Sequence, residues 1–228
     1  MLINIFKKPE IINKEVHKDF IISKFDSYEF AKNAYLVPIG LEEFEVAMKT
    51  LIIVFIKEQE GNIIPAAVLG GESGGNLLLK ENNEWKDNTY VPAVIRSYPF
   101  GIGGNEKESF IVMDTEASCI GKKDGQKLFN SDLSNTEYGE FVFKFVNNVY
   151  SQVEFGKNLG KELDSYGILK QAKIQINVKD KDYSLNNGIY VVDQNALNKL
   201  ESRKLKKLAT KGALKLIYAH LFSLSNKY

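Results

Sequence analysis

The sequence predicts an α+β fold: a mainly antiparallel sheet with one long amphipathic helix and a helical C-terminus. Three observations support this prediction. Two apolar runs, 51–56 and 63–69, flank a short polar segment, as in a β-hairpin. Residues 136–165 repeat apolar side chains every three or four positions, as on one face of a helix. The same spacing recurs over 205–224, with an interruption at Gly212.

The hairpin is predicted from composition and turn residues. Its first run, Leu51-Ile-Ile-Val-Phe-Ile56, has no polar residue, which predicts a strand buried on both faces. Residues 58–62, with Gly61, predict the turn. Pro65 lacks an amide hydrogen, so we expect the second strand to be bulged or to lie at the sheet edge. A short helix is predicted ahead of the hairpin, over 41–50.

A glycine-rich segment, Gly70 to Asn76, follows the hairpin and precedes a predicted strand over 77–80. Backbone amides of such a segment could cradle a phosphate. The segment lacks the Gly-Lys-Ser/Thr ending of a P-loop, however, and no helix is predicted after it. We therefore expect a mobile connection between strands. Another strand is predicted over 108–114.

The long helix is predicted to pack its apolar face against the sheet, and Gly167 supplies a left-handed stop after it. The residues of that face are Tyr138, Phe141, Val142, Phe145, Val149 and Val153.

The last third of the chain predicts two more strands, over 172–178 and 189–192. They form a hairpin with its turn at Asn186-Asn-Gly188, or the turn lies at 179–182 instead. Asp193 is a suitable N-cap for the short helix that follows.

Composition excludes several functional classes. Thirty basic against twenty-nine acidic residues give a net charge of +1, so we expect no nucleic-acid partner. The longest apolar run has six residues, against about 20 for a membrane span, so we expect a soluble chain without membrane insertion. No signal-peptide pattern follows the start, which predicts a cytoplasmic location; export without a cleavable N-terminal signal stays open.

The few cysteine and histidine residues argue against a bound metal. Cys119 is the only cysteine, and His17 and His220 are far apart, so we expect no zinc or haem, no metal site and no cofactor. A carboxylate-bound Mg²⁺ or Ca²⁺ stays open. His220 follows the apolar spacing of the last helix and is predicted to be a core histidine, whereas His17 lies among charged residues and is predicted to be solvated.

Three stretches together resemble the bacterial SapC family, over roughly residues 35 to 226. They are Trp85-x4-Tyr90-Val-Pro-Ala-Val-Ile-Arg-Ser-Tyr-Pro-Phe100, Val191-Val-Asp193 with Leu197 and Leu200, and the ending 212–226. Supporting pieces are Val37-Pro38, Glu43-Phe44, and Leu69-Gly70 with Asn76-Leu77. The resemblance implies a single SapC-like domain over 1–228; a subdivision near residue 130 is the alternative.

The resemblance also implies a function, because the family takes its name from a locus for a bacterial surface layer. We expect a non-enzymatic binding or accessory protein linked to bacterial surface-layer or cell-surface protein assembly. Its partner would be a surface-layer protein, a peptide or another protein. The alternative is an enzyme or enzyme subunit that acts on a peptide or small anionic substrate through an Arg/Tyr/carboxylate pocket.

The candidate ligand-binding residues lie in or near the aromatic motif. They are Arg96, Tyr98, Tyr90, Trp85 and Asp114. Arg96 stands between two prolines and several aromatic residues, where a guanidinium can stack on rings and bind an anion or a peptide carboxylate. The favoured interpretation is structural, with protein acceptors for most of its donors. Asp114 and Glu116 could form an acid/base or metal pair, with Asp124 following near Gly121 and Gly125, although strand-end carboxylates are common on protein surfaces.

Overall fold

The computed structural model describes residues 5–58, 61–104, 108–121, 124–178 and 180–228. The strands are β1 (Pro9–Ile11), β2 (Ile21–Ile22), β3 (Leu36–Pro38), β4 (Ile52–Lys57), β5 (Ile63–Val68), β6 (Gly70–Gly71), β7 (Gly75–Asn76), β8 (Phe100–Gly104), β9 (Ser109–Asp114), β10 (Gln126–Lys127), β11 (Leu169–Gln171), β12 (Ile174–Val178), β13 (Lys181–Leu185) and β14 (Ile189–Val192). The helices are α1 (Lys14–His17), α2 (Phe44–Ala47), α3 (Ala93–Arg96), α4 (Glu137–Ser165), α5 (Gln194–Asn198), α6 (Ser202–Thr210) and α7 (Ala213–Ser223). Single 3₁₀ turns cover Glu29–Ala31 and Leu41–Glu43. The α+β prediction is therefore confirmed.

The central sheet has five antiparallel strands in the order β11-β14-β4-β5-β3. Alternate residues of β4 face opposite layers, as the pleat requires. Ile53 and Phe55 pack in the helical layer with α4 and α7, whereas Ile52 and Val54 pack under the β12–β13 hairpin. Burial of β4 on both faces is thus confirmed. Of the predicted turn, residues 59 and 60 lie outside the described part of the chain.

Pro65 does not lie at a sheet edge, because β5 is paired on both sides without a bulge. The carbonyl of Pro65 accepts from the amide of Ile39 at 3.2 Å, just past the end of β3. The amide and carbonyl of an extended residue project to the same side, so the missing N–H faces the point where β3 has already ended. The proline therefore leaves the Ile39–Pro65 pair with one hydrogen bond at the end of the β3–β5 ladder. The expectation of an edge or bulged strand was wrong, because β5 is an interior strand.

Helix α4 has the predicted bounds. Its N-cap is Thr136, whose hydroxyl accepts from the amide of Gly139 at 3.0 Å, and Gly167 follows its end at φ +65°. Two glycines bring the helix onto β5: a Cβ at Gly160 would lie 2.0 Å from the carbonyl oxygen of Ile63, and one at Gly156 would lie 2.7 Å from Pro65. The sheet-facing side of α4 is set by this close backbone approach.

The buried stripe of α4 differs from the predicted one. Val142, Val149 and Val153 are buried, as expected. Phe145 is only half-buried and Phe141 is 66% exposed. Successive helical residues are about 100° apart, so the stripe aligned with Gly156 and Gly160 leaves these two rings on the side of the helix. Tyr138 is also only half-buried.

The C-terminal strands use the second of the two predicted turn positions. β12 pairs with β13, so the turn lies between Val178 and Lys181; residue 179 lies outside the described part. β14 does not close a hairpin with β12 but pairs with β4 and β11. Asp193 caps α5 by accepting from the amide of Asn195, and Gly212, at φ +73°, separates α6 from α7 as predicted.

His220 joins α7 to the sheet, as predicted for a core histidine. Its Nδ1 lies 2.8 Å from the carbonyl oxygen of Ile53, and its Nε2 accepts from the amide of Val192 at 3.1 Å. Burial lowers the pKa of His220 to about 4, so the ring is neutral at pH 7.

The prediction that His17 is solvated was wrong. His17 is 2% exposed, and its Nδ1 accepts from the amide of Asn13.

The glycine-rich segment is a paired and packed hairpin and not the loose connection expected. β6 pairs with β7. A Cβ atom added at Gly71 or Gly74 would collide with the side chain of Tyr183 in β13. The strand predicted over 77–80 is not formed. Residue Leu79 instead makes one isolated β-bridge with Trp85.

β1, β9 and β8 form a second antiparallel sheet, which packs under the N-terminal half of α4. At 29 residues and about 1.5 Å per residue, α4 is long enough to lie across both sheets. Residues from both sides of position 130 share the largest core cluster. In the described chain, no helix has the length and apolar character that crossing a membrane requires.

Candidate functional site

A cleft of about 990 Å³ lies between the N-terminal half of α4 and three chain segments, 22–28, 96–100 and 124–126. Seven aromatic residues line it: Phe25, Tyr28, Tyr98, Phe100, Tyr138, Phe141 and Phe145. Among the described lining residues, four are charged: Lys24, Asp26, Arg96 and Asp124. Aromatic walls with a few polar groups are typical of ligand-binding clefts.

Arg96 is the last residue of α3, and its guanidinium lies between two aromatic rings. Its Cζ is 5.7 Å from the ring centre of Tyr90 and 5.5 Å from that of Phe145. Its Nε donates to the carbonyl of Val91 at 3.1 Å, and its Nη2 donates to the Tyr90 hydroxyl at 3.1 Å. These contacts hold the guanidinium plane in a defined orientation on the cleft wall.

The arrangement of Arg96 differs from the favoured interpretation. We expected protein acceptors for most of its donors. A guanidinium has five N–H donors, and two of them have acceptors among the described residues, which leaves three. The side chain is also exposed. Arg96 is therefore oriented by the protein but retains donors for a bound group.

Glu43 supports this arrangement from below, although the sequence did not mark it as a site residue. It is 8% exposed, and its Oε1 accepts from the amide of Ala93 at 2.6 Å and from the Tyr90 hydroxyl at 2.9 Å. Its Oε2 accepts from the amide of Gly40 at 2.9 Å. Burial raises the pKa of Glu43, although these three hydrogen bonds and Arg96 oppose the shift. In the sequence, the feature that pointed to Glu43 was the pair Glu43-Phe44, one of the short stretches that resemble the family.

Tyr90 connects Glu43 to Arg96. Its hydroxyl donates to Glu43 and accepts from Arg96, so one oxygen serves both neighbours. Burial and the Glu43 carboxylate raise the pKa of Tyr90 to about 12, so the hydroxyl keeps its proton at pH 7. The three side chains therefore form a hydrogen-bonded chain that leads from the core to the cleft wall.

Tyr98 presents its ring to the cleft, while its hydroxyl points to a buried carboxylate. The ring stacks on Phe30 with centroids 3.9 Å apart, and the hydroxyl donates to Oδ2 of Asp114 at 2.9 Å. Burial and this hydrogen bond raise the pKa of Tyr98. Its contribution to the cleft is therefore apolar surface.

Asp114 does not line the cleft. It is 0% exposed, and besides the Tyr98 hydroxyl it accepts from the amides of Lys7 at 2.8 Å, Lys8 at 2.9 Å and Glu116 at 3.3 Å. Burial alone would raise the pKa of Asp114, but the four hydrogen bonds outweigh burial and lower it. Asp114 thus anchors residues 7 and 8 to the end of β9. Since Glu116 is exposed, the two do not form the paired site considered for strand-end carboxylates.

Trp85 also lies outside the cleft lining. It is 7% exposed and packs edge-on against Tyr28, with centroids 5.3 Å apart. Its Nε1 has no acceptor among the described residues. Of the five candidates, the fold therefore brings Arg96 and Tyr98 to the cleft lining. Tyr90 contacts Arg96 from outside the lining, and Trp85 and Asp114 also lie outside it.

Several cleft residues were missed by sequence reasoning. Phe141 and Phe145 stack on each other, with centroids 6.1 Å apart, and face the cleft where burial against the sheet was expected. Phe25 and Tyr28 carried no periodic signal because they lie in a loop. Among the described residues, no group of three His, Cys, Asp or Glu side chains is placed to hold a metal ion.

Comparison with known proteins identifies one family. The SapC family model matches residues 12–227, which include every cleft residue named above. No curated protein and no solved structure matches the chain. Because the family match covers nearly the whole sequence, the chain belongs to the SapC family.

Proposed function

We propose that this chain is a non-enzymatic binding protein linked to bacterial surface-layer or cell-surface protein assembly, and that the aromatic cleft is its binding site. The observation that carries the proposal is Arg96: a guanidinium held between two rings on the wall of a large cleft, with three donors unused by the described chain. The link to surface-layer or other cell-surface proteins comes from the family alone.

The size and the aromatic lining of the cleft suit a segment of another chain as its occupant. Pockets for small ligands enclose about 300–1,000 Å³, and the cleft reaches the top of this range. Its aromatic rings offer apolar surface without the entropy cost of long flexible side chains. Such a surface suits a peptide segment, which has apolar side chains and polar backbone groups.

An enzyme that acts on a peptide or small anionic substrate is the weaker proposal. It requires a carboxylate beside Arg96 and Tyr98. Asp26 and Asp124 line the same cleft, and the carboxylate that bonds to the Tyr98 hydroxyl is that of Asp114. Four donors of the chain already occupy the carboxylate of Asp114. Its observed contacts are those of a structural group.

The proposal is tested by binding to isolated cell-surface proteins of the organism that encodes the chain. Purified wild-type protein and the variants Arg96→Gln and Arg203→Gln are immobilised and exposed to that fraction. Arg203, the other arginine of the chain, is exposed on α6. Its replacement by Gln removes the same charge as Arg96→Gln and therefore serves as the control. We expect Arg96→Gln to retain at least fivefold less surface protein than wild type and Arg203→Gln to match wild type. Equal retention by all three proteins would refute the cleft as the binding site.

A further inference from the structure

We infer that the cleft captures the free carboxylate end of a peptide or protein whose last side chain is small and apolar. This inference rests on the proposed binding function and names its ligand class. Three features of the cleft carry it: the unused donors of Arg96, the charge balance of the lining, and a small apolar recess beside the cleft.

The donors of Arg96 fit a carboxylate. A guanidinium can bind both oxygens of a carboxylate through two parallel N–H groups. The Arg96 plane is already oriented by Val91, Tyr90 and Phe145, so little side-chain entropy remains to be lost on binding. Backbone N–H groups capture terminal carboxylates in known modes of peptide recognition, and here a guanidinium would supply the N–H donors.

The charge of the lining argues for a singly charged group. Among the described lining residues, Lys24 and Arg96 carry positive charge, and Asp26 and Asp124 carry negative charge. Among these four residues the two signs balance, so the described lining adds no excess positive field that would favour a phosphate or a polyanion. A peptide end, with one carboxylate and a neutral backbone, suits this balance.

A recess of about 50 Å³ adjoins the cleft and shares Ser97, Phe100 and Val146 with its lining. Val94 and Val149 form part of its apolar wall. Val149 lies four residues beyond Phe145 on α4, a rise of about 6 Å. This part of the recess therefore lies about one helical turn from the ring against which Arg96 packs. A ligand held by Arg96 can therefore place its last side chain in the recess.

The volume of the recess decides between a peptide end and a fatty acid. A site for one water-sized group needs about 10–15 Å³ by the same measure, so about 50 Å³ admits roughly three to five groups of that size. The branched methyl groups of valine fit this space, whereas a long acyl chain does not. We therefore commit to a peptide end, with a fatty acid as the competing outcome.

The test uses pools of acetylated hexapeptides, randomised at five positions and ending in valine, as free acids and as C-terminal amides. Each pool is equilibrated with the immobilised full chain, and the retained peptides are quantified by mass spectrometry. We expect the acids to be retained at least tenfold more than the amides, and more than acids ending in glycine or lysine. Arg96→Gln should remove the enrichment, and Arg203→Gln should keep it.

Filling the recess gives an independent readout. Val94→Phe should lower retention of valine-ended acids at least fivefold, while Val46→Phe, at a position 49% exposed on α2, should leave it unchanged. A thermal melt of each variant shows whether it is folded. A second filling variant, Val149→Leu, replaces Val94→Phe if that protein does not fold.

Several results overturn the inference. They are equal retention of acids and amides, no retention of either, or displacement of the peptides by decanoate at lower concentration than by the free acids. If the peptides give one of these results but Arg96→Gln retains less cell-surface protein than wild type, the ligand class is wrong and the proposed function stands. If Arg96→Gln also binds those proteins as wild type does, both are wrong.

Discussion

The guanidinium carbon of Arg96 lies 5.5 Å from the ring centre of Phe145, so α3 and α4 meet across the cleft through a cation–π contact. Phe145 is half-buried, and its ring also stacks on Phe141. The ring therefore orients Arg96 more than it fills the core.

Phe145→Ala should therefore weaken binding more than stability. We expect the free energy of unfolding to fall by about 1–2 kcal/mol, less than the roughly 3–5 kcal/mol of a fully buried phenylalanine. Retention of cell-surface proteins should fall at least threefold, because Arg96 loses one of its two flanking rings. Urea denaturation and the binding assay measure the two effects. Phe155→Ala, at a position 54% exposed on α4 outside the cleft, is the control and should leave binding unchanged. A loss near 4 kcal/mol for Phe145→Ala would show that the ring is core.

Glu43→Gln should destabilise the chain that orients Arg96. Both Glu43 oxygens accept hydrogen bonds, so the amide group of glutamine faces a donor on one side or the other. The unpaired donor should cost about 1–3 kcal/mol of unfolding free energy. Glu42→Gln, at the exposed neighbouring position, should cost less than about 0.5 kcal/mol. Equal stability of the two variants, measured by urea denaturation, would contradict a structural role for Glu43.

Gly160→Ala tests how closely α4 approaches β5. A Cβ at this position would lie 2.0 Å from the Ile63 carbonyl oxygen, and a backbone atom cannot move aside without parting helix and strand. We expect a loss of about 2–4 kcal/mol in the free energy of unfolding, despite the better helix propensity of alanine. Ser151→Ala, exposed on the same helix, should change it by less than about 0.5 kcal/mol. A neutral or stabilising Gly160→Ala would contradict the described packing.

The buried ring of His220 should make stability depend on pH. Its pKa is about 4 in the folded chain and near 6.5 when solvated, so between these values only the unfolded chain binds the proton. The free energy of unfolding should therefore fall as pH falls from 6.5 to 4, by on the order of 3 kcal/mol from this group. His220→Asn cannot titrate, so subtracting its pH profile from that of wild type isolates the histidine. Parallel profiles for the two proteins would show that His220 is not held neutral.

Elements with a local cause were predicted from the sequence. β4 follows from an uninterrupted apolar run, and the stops at Gly167 and Gly212 follow from positions that adopt positive φ. The position of Pro65 was not predicted, because it depends on where β3, three residues long and distant in sequence, ends against β5.

The cleft was predicted only in part. Arg96, Tyr90 and Tyr98 stood out because they form one motif. Phe141 and Phe145 have the spacing of a buried face, and only the approach of Gly160 to Ile63 turns them toward the cleft. Asp114 had the pattern of a strand-end site residue. Its hydrogen-bond donors include Lys7, 107 residues earlier, which no local pattern could reveal.

Site-specific photo-crosslinking in the cell tests the central claim, that the cleft is a binding surface, most directly. The photoreactive residue p-benzoylphenylalanine replaces Phe141, which is 66% exposed at the cleft, or Phe155, which is 54% exposed outside it. After irradiation, the account predicts a protein adduct from position 141 that is at least fivefold stronger than any from position 155. Adding Arg96→Gln should remove this adduct, and adding Arg203→Gln should not. No adduct at position 141, or equal adducts at both positions, would contradict the account.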